Sequence, residues 1–146
     1  MKLTTSTKIN DIERKWHLID VKDKILGRVA TDIAQLLMGK SKPYFVSYLD
    51  CGDYVVILNA AKIQVTGKKA KNKIYMQYSG YPGGLKKKDF QKVLGENPIR
   101  IVKGAVSGML PNNKLRDSML KRLYIFVDEK HPYEEKLKIC QEKNKH

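Results

Sequence analysis

Cysteine is nearly absent from this sequence. Two occur among 146 residues, Cys51 and Cys140, 89 positions apart and without CxxC spacing. A disulfide scaffold needs more of them, and a structural zinc site needs four clustered ligands. The three histidines, His17, His131 and His146, are equally scattered. Both thiols therefore read as reduced, and no metal or cofactor is expected. Long apolar runs are missing too: no stretch of 18 apolar residues occurs, which excludes a membrane-spanning helix. The N-terminal MKLTTSTKINDIERKW has no apolar h-region and carries Asp11 and Glu13, against a secretory signal and an organellar transit peptide. Negative charge is the scarcest commodity. There are 15 Asp and Glu against 29 Lys and Arg, a net of +14.

The surplus is not spread evenly. Residues 62–122 hold fifteen basic and three acidic side chains, a net of +12, while the remaining 85 residues carry +2. A solvated surface normally mixes signs, so a one-sided middle implies a large polyanion. Of the basic residues 24 are Lys and five are Arg, a balance suited to neutralising phosphates rather than to reading bases. The length suffices for one domain with a core, and 42% apolar residues make it globular.

Along the chain, WHLID (16–20) predicts a short strand. In GRVATDIAQLLMG and the residue before it, Leu26, Val29, Ala30, Ile33, Leu36 and Leu37 recur every three or four positions, an amphipathic helix stopped at Gly39 and before Pro43. YVVILNA (54–60) is apolar on both faces, as in a buried parallel strand. Strand, helix, buried strand is a βαβ unit with a right-handed crossover. IQVTG (63–67) and KIYMQY (73–78) predict further strands joined by a KKAKN turn. Asp89 can cap a short helix FQKVLG. Asn97-Pro98 starts another, with Ile99, Val102, Val106 and Met109 on one face. Asn112 or Asn113 starts a third, and YIFV (124–127) is a last strand. The polar segment after Asp128 is expected to pack loosely. The expected divisions are an N-terminal extension 1–15, an α/β domain 16–128 and a polar tail 129–146.

Catalytic patterns are lacking. GKS at 39–41 ends like a phosphate-binding P-loop, but the glycine required five positions earlier is Ala34, and this GKS follows a helix instead of preceding one. DCGD (50–53) sets a thiol between carboxylates, which raise a thiol's pKa rather than activate it. It reads as a turn before a strand, with Asp53 capping or pairing with a lysine. No GxSxG, HExxH or pair of catalytic acids is present. No catalytic residue and no small-molecule substrate are expected.

YSGYPGGLKKK (78–88) is the most pointed stretch. Its glycines allow left-handed or very close backbone, and Pro82 fixes φ beside them. Tyr78 and Tyr81 can stack on a base or donate to a backbone oxygen, and Lys86, Lys87 and Lys88 can neutralise phosphates. In order, LGRVATDIAQLLMGKSKP, DCGDYVVILNA, TGKKAKNKIY, YSGYPGGLK and GAVSGMLPNNKL resemble the bacterial and organellar form of large-subunit ribosomal protein thirteen. The resemblance runs from about Trp16 to about Pro132.

That resemblance implies a three-layer α/β/α sandwich around a mainly parallel four-stranded sheet, with basic loop extensions. It implies a structural role: binding large-subunit ribosomal RNA beside neighbouring large-subunit proteins and supporting early assembly. The place is the cytoplasmic large subunit, with an organellar ribosome as the less favoured source. Carried over residue by residue, the RNA contacts are Gly80, Tyr81, Pro82, Gly83, Gly84 and Lys86, then Gly108, Met109, Pro111 and Lys114, with Leu115 as a core anchor. Lys40, Lys42 and Lys68 join them, and the basic stretch adds Lys69, Lys71 and Arg116. Departures are Tyr48 where a histidine is usual, Asn112 where a lysine is common, and the ending DEKHPYEEKLKICQEKNKH. An RNA-modifying enzyme and a regulatory RNA-binding module are the competing classes.

Overall fold

The computed structural model describes residues 6–143, with side chains as far as residue 138, so the Cys140 thiol and His146 lie outside the described residues. The elements run β1 (Trp16–Asp20), α1 (Leu26–Met38), β2 (Tyr54–Leu58), α2 (Lys69–Asn72), β3 (Ile74–Tyr78), β4 (Leu85–Asp89), α3 (Phe90–Glu96), α4 (Pro98–Met109), α5 (Arg116–Lys121), β5 (Leu123–Ile125) and α6 (Glu134–Lys143). Three strands form a parallel sheet in the order β1-β2-β5, with Trp16 opposite Tyr54 and Val55 opposite Leu123. The apolar YVVIL run is the central strand, as its two-sided hydrophobicity requires.

A mixed α/β fold with a parallel sheet is what forms, but the described residues give three parallel strands where four were expected. IQVTG does not become a strand. Asn59 takes φ 60 and a single turn of 3-10 helix follows over Ala60–Lys62, so β2 is broken before it can resume. What survives is one parallel bridge, Ile25 to Gln64, with Leu26 N donating to Gln64 O at 2.8 Å. KIYMQY does form β3, yet it pairs antiparallel with β4 in a separate two-stranded hairpin. KKAKN is a single helical turn, α2, rather than a plain turn.

Alternation in the strands divides the core. Val55 and Ile57 point to the face covered by α1 and α4, where Val29, Ala30, Ile33, Ala34 and Leu37 meet Ile101, Val102 and Val106. Each large apolar side chain fully buried here contributes about 1.5–3 kcal/mol relative to exposure. Of the expected face of α4, Val102 and Val106 are buried, but Ile99 and Met109 are exposed and Ile101 takes the inner place. Pro98 stands at the first helical position and is itself buried, and the Asn97 side chain caps the Arg100 N–H at 3.2 Å. Asp89 precedes α3 without a side-chain cap. On the opposite face of the sheet, Trp16 stacks on Tyr54 (4.4 Å between centroids) and Tyr124 (5.8 Å).

The segment after Asp128 does not pack loosely where it is described. Tyr133 stacks on Trp16 at 5.3 Å, Lys136 Nζ lies 5.1 Å from the same indole ring, and Leu137 is buried. Tyr133 and Leu137 give the segment an apolar side that a composition average conceals.

Candidate nucleic-acid interface

Lys42 and the two acids of DCGD, Asp50 and Asp53, are neutralised by ion pairs within the protein. Lys42 Nζ donates to Asp53 Oδ1 at 2.5 Å, Glu13 O at 2.6 Å and Cys51 O at 2.9 Å, which commits all three of its protons. Lys42 is thus a strut between the N-terminal arm and the DCGD turn, and not a surface cation as expected. The lysine pairing expected of Asp53 is present, with His17 Nε2 at 2.9 Å and the Lys15 N–H at 3.0 Å as further partners. Burial pushes the Asp53 carboxyl up, but His17, the Lys15 amide and Lys42 together outweigh it and hold the carboxyl below its ordinary value. Asp50 is claimed by Arg122, a buried guanidinium that also donates to Leu37 O and Asp53 O. Cys51, between the two acids, is fully buried.

Outside this network the surface is basic. Lys40, Lys68, Lys69, Lys71, Lys86, Lys87 and Lys114 are exposed and take part in none of the ion pairs of the described residues. Lys68 and Lys69, with Thr66, Gly67, Asn72 and Lys73, line an open cleft of about 640 Å³. Lys69 and Lys73 reach a second cleft of about 230 Å³ that Met109 also lines, so α2 and the end of α4 meet there. Gly108 leaves α4 open to solvent beside it, and Pro111 is exposed further along.

Two expected contacts are tied down. Arg116 donates to Ser107 O at 2.6 Å, Ser107 Oγ at 2.7 Å and Asn112 Oδ1 at 3.2 Å, locking the turn after α4. Lys88 is paired with Glu96. Leu115 packs against the core, as an anchor should. Asn113 accepts from the Leu115 N–H at 3.1 Å and holds the turn into α5.

YSGYPGGLKKK is a hairpin rather than a loop. Tyr78 ends β3, the turn spans Ser79–Gly84, and the three lysines lie on β4. Gly83 has φ 73, and the Gly84 N–H donates to Tyr81 O at 2.9 Å. Tyr78 and Tyr81, 64% and 75% exposed, stand beside this turn with Pro82. Alternation sends Lys86 and Lys88 to one face of the hairpin and Lys87 to the other. Sequence reasoning missed Lys73, which lines both clefts. It also missed Arg100 and Lys103, which with Gly104 line a groove of about 390 Å³ on α4. The three-residue spacing of Arg100 and Lys103 on a predicted helix was the available signal.

A small parallel α/β body whose described surface carries clustered lysines outside any of its ion pairs suits a polyanion-binding scaffold. The family profile described as Ribosomal protein L13 matches residues 14–132, and the chain belongs to that family. Proteins called "Large ribosomal subunit protein uL13" are similar over most of their length. The one from Solibacter usitatus is 46% identical, covering 85% of this chain and 87% of the relative. Those from Symbiobacterium thermophilum and Prochlorococcus marinus subsp. pastoris are 44% and 47% identical, each covering 91% of this chain and 93% of the relative. The family is one of structural ribosomal proteins, not enzymes.

Proposed function

We propose that the protein is a structural constituent of the large ribosomal subunit, in the cytoplasm, where it binds ribosomal RNA and supports early assembly. The observation that carries this reading is the split of its charges: Lys42, Arg122, Asp50 and Asp53 pair inside, while Lys40, Lys68, Lys69, Lys71, Lys86 and Lys114 stay exposed and outside the ion pairs of the described residues. The RNA surface comprises the hairpin turn (Tyr78, Gly80, Tyr81, Pro82, Gly83, Gly84 and Lys86), α2 with its clefts (Lys68, Lys69, Lys71), the end of α4 (Gly108, Met109, Pro111, Lys114) and Lys40. In this reading residues 16–128 are the α/β domain between an N-terminal extension and a polar tail, and α6, set over Trp16 on the side of the sheet away from α1 and α4, supports a third layer. A fourth strand, in this reading, is represented by the Ile25–Gln64 bridge. Neighbouring large-subunit proteins adjoin it.

Sedimentation tests the proposal. After a high-salt wash the protein should co-migrate with large subunits. Recovery in the light fractions, as for an enzyme or regulator that visits RNA transiently, would overturn it.

A further inference from the structure

The two faces of the β3–β4 hairpin differ in kind. On one, Tyr75 and Gln77 stand opposite Lys88 and Lys86, and Tyr75 packs against the core. On the other, Ile74 faces Asp89, Met76 faces Lys87, and Tyr78 faces Leu85. This second face carries four large apolar side chains in the open: Ile74 46%, Met76 61%, Tyr78 64% and Leu85 48% exposed. Opposite pairs on one side of an antiparallel ribbon lie close enough to form a continuous strip. Phosphates cannot use such a strip, and leaving it in water forfeits the free energy of its burial.

We propose that this face docks a second protein of the large subunit, one presenting an apolar strip edged by a carboxylate. That carboxylate answers Lys87, the single cation among the apolar residues on this face, while Asp89, opposite Ile74 at the end of the same face, calls for a donor on the partner. A second copy of this chain is the wrong occupant, because two surfaces belonging to chains of net charge +14 repel. Four side chains supply far less than the roughly 800 Å² per partner of a self-sufficient interface. The contact therefore belongs between proteins already held on one RNA, where the shared scaffold raises their effective concentration. To that extent the inference rests on the RNA-bound reading above. It assigns the hairpin two roles: the turn meets RNA, and the strip of Ile74, Met76 and Leu85 meets protein, with Tyr78 standing where the two surfaces join.

The test separates these roles. Met76→Thr and Leu85→Thr, singly and together, keep every charge and suit a strand. Each is expected to bind naked large-subunit RNA within about twofold of wild type, with the same salt slope. The double variant should be lost from washed large subunits at least tenfold more than wild type. A photo-cross-linking residue placed at 76 or 85 in intact subunits should join one particular subunit protein, through a peptide that mixes apolar residues with Asp or Glu. Cross-links only to RNA, only to another copy of this chain, or to nothing overturn the inference. So does a double variant that is retained like wild type. If hairpin pairing fails in the double variant, the Leu85→Thr protein and the cross-links decide. Failure of the wild-type protein to bind ribosomal RNA instead overturns the reading beneath.

Discussion

A methyl group at Gly52 has nowhere to go. Its Cβ would lie 1.7 Å from Leu37 O and 2.6 Å from Arg122 Nη2, and that carbonyl is itself fixed by the same guanidinium at 3.1 Å. Gly52→Ala should therefore cost about 3 kcal/mol or more, read by denaturant unfolding, because backbone and a buried ion pair must both move. Gly83 is the opposite case. Nothing lies within 4 Å of its Cβ position, so Gly83→Ala meets only the strain of φ 73, about 1 kcal/mol. The variant should melt close to wild type. Its RNA affinity should fall by more than that of Lys86→Ala, which loses one screened phosphate contact and about one unit of salt slope. A Gly83→Ala protein that binds as wild type while Lys86→Ala fails would reduce the turn to a charged bend.

At the scale of elements, the Lys42–Asp53–His17 cluster pins β1, β2 and the 39–53 connection together. The folded Asp53 carboxyl lies below its ordinary 3.8, so its contribution to stability is present above that value and is lost as pH falls through the lower folded one. Lys42→Met removes one of the groups holding the carboxyl down. The acid-unfolding midpoint should then move toward neutral pH, measured by circular dichroism, and an unchanged midpoint would show that the cluster is not coupled to folding. DCGD left Asp53 either capping or pairing with a lysine, and its burial beside Lys42 decides for the pair. That Arg122 would take Asp50, 72 positions away, was not legible, because no local pattern carries it. Helices α1 and α4 and strand β2 were legible from apolar spacing, except that Ile101 rather than Ile99 and Met109 joins Val102 and Val106 inside α4. β4 was hidden because LKKKD has no apolar alternation. It is a strand through its ladder to β3, a property of the partner rather than of its own residues. The candidate RNA site was legible as lysine content. Which lysines the fold would consume could not be read, since Lys40 and Lys42 look alike until Asp53 is placed.

For the whole molecule, unpaired cations predict a steep response to salt. With roughly 6–10 phosphates neutralised on a duplex-like surface, affinity for naked ribosomal RNA should drop about 10³–10⁵-fold between 50 and 200 mM salt. Filter binding across that range checks it. A nearly flat curve would mean that the surplus of +14 does not face RNA.

Trp16 is the sole tryptophan of the chain, and Tyr54, Tyr124, Tyr133 and the Lys136 ammonium surround it. That arrangement gives the protein a native optical gauge. Indole emission shifts to longer wavelength as water replaces an apolar neighbour, so the fluorescence of the unmodified protein reports whether Tyr133 and Lys136 are seated on β1. Tyr133→Ala should move the emission to the red while leaving the far-ultraviolet dichroism of the parallel sheet and its helices in place. The same colour, followed during binding to RNA, tells whether the C-terminal segment stays seated or is lifted away.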